Sequence, residues 1–345
     1  MSNINPIDWQ LCVAPMIDVT DRHCRFFHRL LAPKARLYSE MTTTGALIFG
    51  DQARHLDFNE PEHPVALQLG GCDPQELAQC ARIGERWGYD EINLNCGCPS
   101  ERVQKGAFGA CLMREPILVA DCVKAMQDAV SVPVTVKHRL GLDGVTDYGF
   151  VRDFVGQLFD VGCRVFVVHA RHAVLGGLSP KENREVPPLQ FDQAARLRQD
   201  FSDGVFVVNG GLTDVEQCQN VLNDFDGVML GRAAWHDPGV LNDLSLAFGH
   251  RHELAQDVDV LAAMVDYARE QVPLGVPLRV IARTMLGFAQ GKRGARKWRQ
   301  MLSDQRLLQA NDPELIWRAW EHVQPQQQQP MALSAREQAP LTPEA

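Results

Sequence analysis

The chain predicts a (β/α)8 TIM barrel followed by a small helical domain, and three observations carry that expectation. Eight strand-like runs recur over about 235 residues, the usual size of such a barrel. Amphipathic helical stretches separate most of them. After Gly249 the strand pattern stops and only helical periodicity remains. A doubly wound open sheet is the alternative fold, weakened because no Gly-x-Gly-x-x-Gly turn follows the first strand.

The strand runs cover residues 11–16, 37–43, 65–70, 91–97, 133–139, 164–170, 204–210 and 227–231. Helical stretches lie at 73–87, 115–129, 146–159 and 214–223. Asp73 followed by Pro74 and Glu76, and Thr213-Asp214 ahead of Glu216, are helix-start signals, because a short polar side chain can take the first free N–H groups. A boundary is expected near 245, giving a barrel over 1–245 and a helical domain over 246–323. Residues 324–345, rich in Gln, Pro, Ala and Glu, cannot bury a core and are expected to be disordered.

Of the 345 residues, 45% are hydrophobic, enough for a substantial core. No run of about 18 apolar residues is present to span a membrane. The first eight residues lack the basic and apolar regions of a signal peptide. Ten scattered cysteines without disulfide-like spacing read as reduced thiols, so a cytoplasmic location is expected. Cys96 and Cys98 have no second Cys/His pair at zinc spacing, so no metal is expected. A net charge of −9 argues against a nucleic-acid partner, but its distribution does not. Between Gln271 and Gln300 stand Arg279, Arg283, Lys292, Arg293, Arg296, Lys297 and Arg299 with no acidic residue among them, a local face suited to phosphate.

Residues 91–99, Glu-Ile-Asn-Leu-Asn-Cys-Gly-Cys-Pro, are the most informative stretch. Ile92, Leu94 and Cys96 alternate with Asn93 and Asn95, and the run breaks at Gly97. Cys98 is thereby held on a turn at the strand's C-terminal end, where barrel enzymes keep catalytic groups. Alternation in the other strands sets Gln68, Lys137, His169 and Asn209 on the faces that would point inward. Together with Asn95 they would converge at the C-terminal mouth as a ligand site. Strand seven ends in Asn209-Gly210-Gly211 and strand eight in Gly231-Arg232. Loops after these strands are the recurrent phosphate site of the fold, with bare N–H groups and a cation, here Arg232, facing the anion. A phosphorylated planar cofactor edged by Gln68, Lys137 and His169 fits flavin mononucleotide best, since a cation beside the pyrimidine edge stabilises the reduced ring.

The chain resembles the tRNA-dihydrouridine synthases, and most closely the A-type bacterial subfamily. The matching motifs are Ala14-Pro-Met-Ile-Asp-Val-Thr-Asp21, Gln68-Leu-Gly-Gly71, Asn93-Leu-Asn-Cys-Gly-Cys-Pro-Ser100, Lys137-His-Arg-Leu-Gly141, His169-Ala-Arg171, Asn209-Gly-Gly211 and Gly231-Arg232. Arg22-His-Cys-Arg25 and the stretch Leu178-Ser-Pro-Lys-Glu-Asn-Arg-Glu-Val-Pro-Pro-Leu189 resemble the A type. The likeness covers roughly residues 10–320.

It implies an FMN-dependent reduction of uridines 20 and 20a in the tRNA D-loop, with NADPH as electron source. Pro15, Met16, Ile17, Gln68, Lys137, His169, Asn209, Gly210, Gly211, Gly231 and Arg232 would hold the flavin, and Cys98 would donate a proton. A thiol suits that task because its ordinary pKa of about 8.5 leaves it mostly protonated at neutral pH. Asn95 could bond the uracil edge. Arg102 and Lys105, in a lid-like loop, Lys181 and Arg184 after strand six, and Arg296, Lys297 and Arg299 are expected on tRNA. Trp298, interleaved with the last three, strengthens that reading. The implied C-terminal helical domain that grips tRNA agrees with the basic stretch. No obligate protein partner is evident. Two rivals stand beside this reading: an FMN barrel reductase of another pyrimidine or another uridine position, and a tRNA-binding chaperone without flavin.

Overall fold

The structure, a computed structural model, describes residues 4–101 and 106–323. The expected tail and the candidates Arg102 and Lys105 lie outside the described residues. The first half of the ring consists of β1 (Leu11–Val13), α1 (Arg22–Leu31), β2 (Arg36–Tyr38), α2 (Thr44–Phe49), β3 (Val65–Gly70), α3 (Pro74–Trp87), β4 (Glu91–Cys96) and α4 (Pro116–Gln127). The second half consists of β5 (Val134–Arg139), α5 (Tyr148–Asp160), β6 (Val165–His169), α6 (Phe191–Asp200), β7 (Val205–Asn209), α7 (Val215–Val221), β8 (Gly227–Leu230) and α8 (Gly239–Ala247).

All neighbouring strands are parallel, and the ring closes through β1. Cys12 stands opposite both Arg36 of β2 and Met229 of β8, while Leu37 of β2 stands opposite Val65 of β3. The expected (β/α)8 TIM barrel is therefore present. Its helix starts follow the sequence signals. Asp73 accepts hydrogen bonds from the N–H groups of Gln75 and Glu76, and Asp214 from that of Gln217. Gly88, at φ 109°, stops α3 in a conformation only glycine adopts cheaply.

The second strand is shorter than the strand-like run 37–43 suggests. β2 stops at Tyr38, and Thr42–Thr43 forms a separate two-residue pairing with the end of β3. The reason is local. The Ser39 hydroxyl accepts the Gln68 N–H at 3.0 Å, standing in for a ladder carbonyl and letting the chain turn away.

Two kinds of side chain fill the barrel. Around β6, β7 and β8, Val165, Val167, Val205, Val207 and Met229 pack with Cys12 and Ala66. Around β3, β4 and β5 the same space holds Gln68, Glu91, Asn93 and Thr135, all almost fully buried. The outward faces, such as Leu67, Ile92, Leu94, Cys96, Val136 and Phe166, pack into the helical ring.

Beyond the ring come α9 (Asp257–Gln271), α10 (Ala295–Ser303) and α11 (Leu315–Trp320). Position 245, the expected boundary, falls within α8. This helical part shares its core with α1. His23 Nδ1 lies 2.7 Å from the Tyr267 hydroxyl, Phe26 stacks on Tyr267 at 4.1 Å, and Phe27 meets Phe288 edge-on. Among the described residues no helix is long and apolar enough to cross a membrane.

Candidate active site

The turn after β4 is tied down from both sides. Cys96 points outward into the helices, fully buried, as its place in the alternation requires. The N–H groups of Gly97 and Cys98 both donate to Asn95 Oδ1, at 2.9 and 3.0 Å. The Cys98 carbonyl accepts from the Ala110 N–H at 2.9 Å. Arg139, 2% exposed, donates to the carbonyls of Gly97, His172 and Asn183 at 2.9, 3.1 and 2.9 Å. Cys98 itself is half-buried, its Sγ 3.5 Å from the Ser100 hydroxyl. The thiol is thus presented on a rigid turn at the mouth.

Around it the expected strand-end residues come together. Gln68 Oε1 accepts from Asn95 Nδ2 at 3.0 Å, and Lys137 Nζ donates to Asn209 Oδ1 at 3.1 Å. His169 flanks Gly210, where an added Cβ would come within 2.9 Å of its ring. Desolvation, then the Arg139 charge, pushes Lys137 down to about 7, while Cys98 acts the other way. Desolvation, then Arg139 and Lys137, holds His169 well below the ordinary imidazole range, so it is neutral. The buried Arg139 guanidinium, with Lys137 beside it, places positive charge at the mouth of an acidic protein, which suits an anion.

The loops after β7 and β8 form its floor. Gly210 and Gly211 adopt φ of 121° and 70°, and a Cβ on Gly211 would lie 2.6 Å from Leu189 Cδ1. Both positions therefore need glycine. The N–H of Gly211 finds no acceptor among the described residues. Met16 Sδ approaches the Gly231 position, which brings the loop after β1 to the same place. That loop is pinned by Thr20, whose hydroxyl accepts from the Met16 N–H at 3.0 Å, and Ile17 is left 53% exposed. Arg232 is turned otherwise than expected. Its guanidinium pairs with Glu185 at 2.6 Å, in the loop after β6, so its backbone rather than its charge borders the glycines. A carboxylate in hydrogen-bond reach outcompetes a more distant partner.

The candidates for tRNA contact divide. Asn95 has all its polar atoms engaged, and the bond from Nδ2 to the Met41 thioether at 3.1 Å is the weakest of them. Lys181 and Arg184 are exposed in the loop after β6, and Arg296, Lys297 and Arg299 are exposed on α10. Trp298 is not on that surface. It is fully buried and donates to the Met285 carbonyl at 2.9 Å, because Ala295, Trp298 and Leu302 form the inward stripe of α10. Arg283 and Lys292 are engaged as well, in ion pairs with Asp21 and Asp257.

Sequence reasoning missed Arg139 and Asn183. Asn183 is fully buried and ties Val174, Leu178 and Ser179 together, shaping the loop after β6. The signal for Arg139 was present, since it continues the inward Thr135, Lys137 alternation. Asn183 carries no such pattern. Among the described residues no group of His, Cys, Asp or Glu could hold a metal ion.

Comparison with known proteins agrees with this geometry. The model of the dihydrouridine synthase family matches residues 12–323. A tRNA-dihydrouridine(20/20a) synthase of Xanthomonas campestris is 56% identical over 295 residues, covering 86% of this chain and 88% of that protein. Proteins of the same name from Pseudomonas putida and Escherichia coli are 54% and 51% identical, covering 84% and 86% of this chain and 87% and 90% of theirs. Among solved structures, an old yellow enzyme homologue from Zymomonas mobilis shares the barrel, with a TM-score of 0.50 at 14% identity over 72% of this chain and 90% of that one. This chain belongs to the dihydrouridine synthase family.

Proposed function

We propose that the protein reduces the 5,6 double bond of uridines 20 and 20a in the D-loop of tRNA, in the cytoplasm, using FMN and NADPH. The observation that carries this reading is the half-buried Cys98 turn beside a mouth that joins two positive-φ glycines to Lys137 and the buried Arg139. The residues suit FMN. Gly210, Gly211 and Gly231 offer close backbone approach to a phosphate, and Met16, with Pro15 and Ile17 next to it in the chain, reaches Gly231 from the loop after β1. Gln68, Lys137, His169 and Asn209 offer polar atoms to a flat ring, and the Arg232 backbone opens the helix beside the phosphate. Bound there, the flavin would supply the hydride that carbon 6 of uracil requires.

The chain's own groups would do the rest. Cys98 would deliver the proton to carbon 5, its turn held by Asn95 and Arg139. Asn95 could exchange its thioether bond for a uracil carbonyl. The base must leave its stack, at a cost of a few kcal/mol. We assign the grip on tRNA to the helical domain, residues 246–323, through Arg296, Lys297 and Arg299, with Lys181 and Arg184 from the loop after β6 and with Arg102 and Lys105. Incubation with NADPH and unmodified tRNA, followed by mapping of dihydrouridine, tests the proposal. Product at positions 20 and 20a is expected. A flavin-free protein, or one whose reduced flavin is oxidised by free pyrimidines but not by tRNA, would sink it.

A further inference from the structure

Between the floor of the barrel and its mouth runs an unbroken line of hydrogen bonds. At the floor, Glu91 is fully buried. Its carboxylate accepts from Trp9 Nε1 at 2.7 Å, the Tyr38 hydroxyl at 2.8 Å and the Thr135 hydroxyl at 2.5 Å, with Arg36 3.3 Å away. The line then climbs. Asn93 Nδ2 donates to Thr135 Oγ1 at 2.7 Å, Gln68 Nε2 to Asn93 Oδ1 at 2.7 Å, and Asn95 Nδ2 to Gln68 Oε1 at 3.0 Å. At the top, Asn95 Oδ1 accepts the N–H groups of Gly97 and Cys98.

The two ends demand the same direction. A carboxylate only accepts, so Thr135 must give its proton to Glu91 and present its lone pairs to Asn93. Asn93 then turns its NH2 downward and its oxygen up, and Gln68 and Asn95 follow in turn. A backbone N–H only donates, so the Cys98 turn fixes Asn95 in that same sense. Each amide in between has two orientations in isolation and one in this column.

We propose that Glu91 is a remote positioning residue for the active site, fixing through Thr135 and Asn93 which edge of the Gln68 amide meets the bound cofactor. This rests on the FMN reading above. In the column Gln68 spends one N–H on Asn93 and one lone pair on Asn95, leaving one of each for a ligand in a set arrangement. Glu91→Gln keeps the shape but brings donors into a pocket already filled by donors. The new amide turns its NH2 to Tyr38 and Thr135, the Thr135 proton is sent up to Asn93, and the reversal runs to Gln68. The Gly97 and Cys98 N–H groups cannot reverse, so a mismatch must remain in the column.

A double-mutant cycle on flavin binding tests this, with the FMN dissociation constant and the visible spectrum of bound FMN as readouts. Glu91→Gln should weaken FMN binding about tenfold, equivalent to one misdirected buried hydrogen bond, and shift the flavin spectrum. In a Gln68→Ala background the same substitution should change neither. Thr135→Val, which cuts the column and leaves the Glu91 charge in place, should show the same dependence on Gln68 and decides the matter if Glu91→Gln does not fold. Equal effects in both backgrounds, or folded variants with unaltered flavin, would overturn the inference while the FMN reading stands. Wild-type protein that takes up no FMN would overturn both.

Discussion

On the β6 to β8 side the barrel is filled by Val165, Val167, Val205, Val207 and Met229, whereas on the β3 to β5 side Gln68, Glu91, Asn93 and Thr135 lie at the same depth. The apolar side is held by burial, which is roughly proportional to area and indifferent to direction. The polar side is held by hydrogen bonds that are worth little if misdirected and costly if unmade. One side can therefore tolerate a change of shape, and the other transmits a change of chemistry. The loop that presents Cys98 stands on the second side, and the glycine floor of the mouth stands on the first.

The sharpest way to probe that division is at its top. Cys98→Ala should leave flavin bound and still reducible by NADPH, while dihydrouridine formation falls by about 10²–10⁴-fold. Single-turnover measurement of tRNA reduction checks it, and equal rates in variant and wild type would remove Cys98 from the chemistry. Next in size are the two interiors themselves. Glu91→Ala strands three donors and the Arg36 guanidinium, for an expected loss of about 3–5 kcal/mol. Val207→Ala removes only packing and should cost about 2 kcal/mol with the flavin spectrum unchanged. Denaturant titration of both compares the halves directly; equal losses would mean that the polar column is only filler.

Lys137 sits where the halves meet, bonded to Asn209 across the mouth. Lys137→Met should make the bound flavin's midpoint potential more negative, because a cation beside the reduced ring is lost. It also has a pH signature. The native side chain releases its proton near 7, whereas the unfolded chain holds it to about the ordinary 10.5. The unfolded state thus binds more protons between those values, and stability rises with pH across that window. Without added flavin, wild type should gain on Lys137→Met from about pH 7 towards 10.5; parallel pH curves would place the ammonium in solvent. The smallest effect on stability belongs to the surface. Arg296, Lys297 and Arg299 changed together to Ala should move stability by no more than about 0.5 kcal/mol. Affinity for tRNA should nevertheless fall, and the logarithmic salt slope should flatten by roughly 0.9 for each phosphate no longer neutralised. Unaltered affinity at fixed salt would put the RNA elsewhere.

Much of this was legible in sequence because a strand's side chains alternate strictly. His169 and Asn209 share a face with the valines two residues before them, and Gln68 and Lys137 stand opposite the apolar face of their strands; Gln68 meets Asn95 and Lys137 meets Asn209 at the mouth. The same alternation puts Arg139 and Glu91 on the inner face as well, but a face alone does not name the carbonyls that Arg139 holds or the donors that Glu91 gathers. Trp298 was misread for a different reason. Its basic neighbours suggested RNA, although the spacing of Ala295, Trp298 and Leu302 is that of a buried helical stripe. Arg232 shows what alternation cannot supply. Its partner Glu185 stands 47 residues away in a loop, and only the folded chain brings them together.

The packing of α1 against the C-terminal helices bears on how the chain acquires its shape. Asp21 caps α1 and pairs with Arg283, His23 meets Tyr267, and Phe27 meets Phe288, each pair some 240 to 260 residues apart. Even β1 must wait for β8, which lies more than 200 residues downstream. Loop closure over such spans is entropically slow, and topologies dominated by distant contacts fold late and leave apolar surface waiting. The first helix of the barrel is therefore among the last to find its partners. A chain cut after Ala247 would keep all eight strands yet leave Phe26 without Tyr267 and Phe27 without Phe288, apolar surface that favours aggregation until the C-terminal helices cover it.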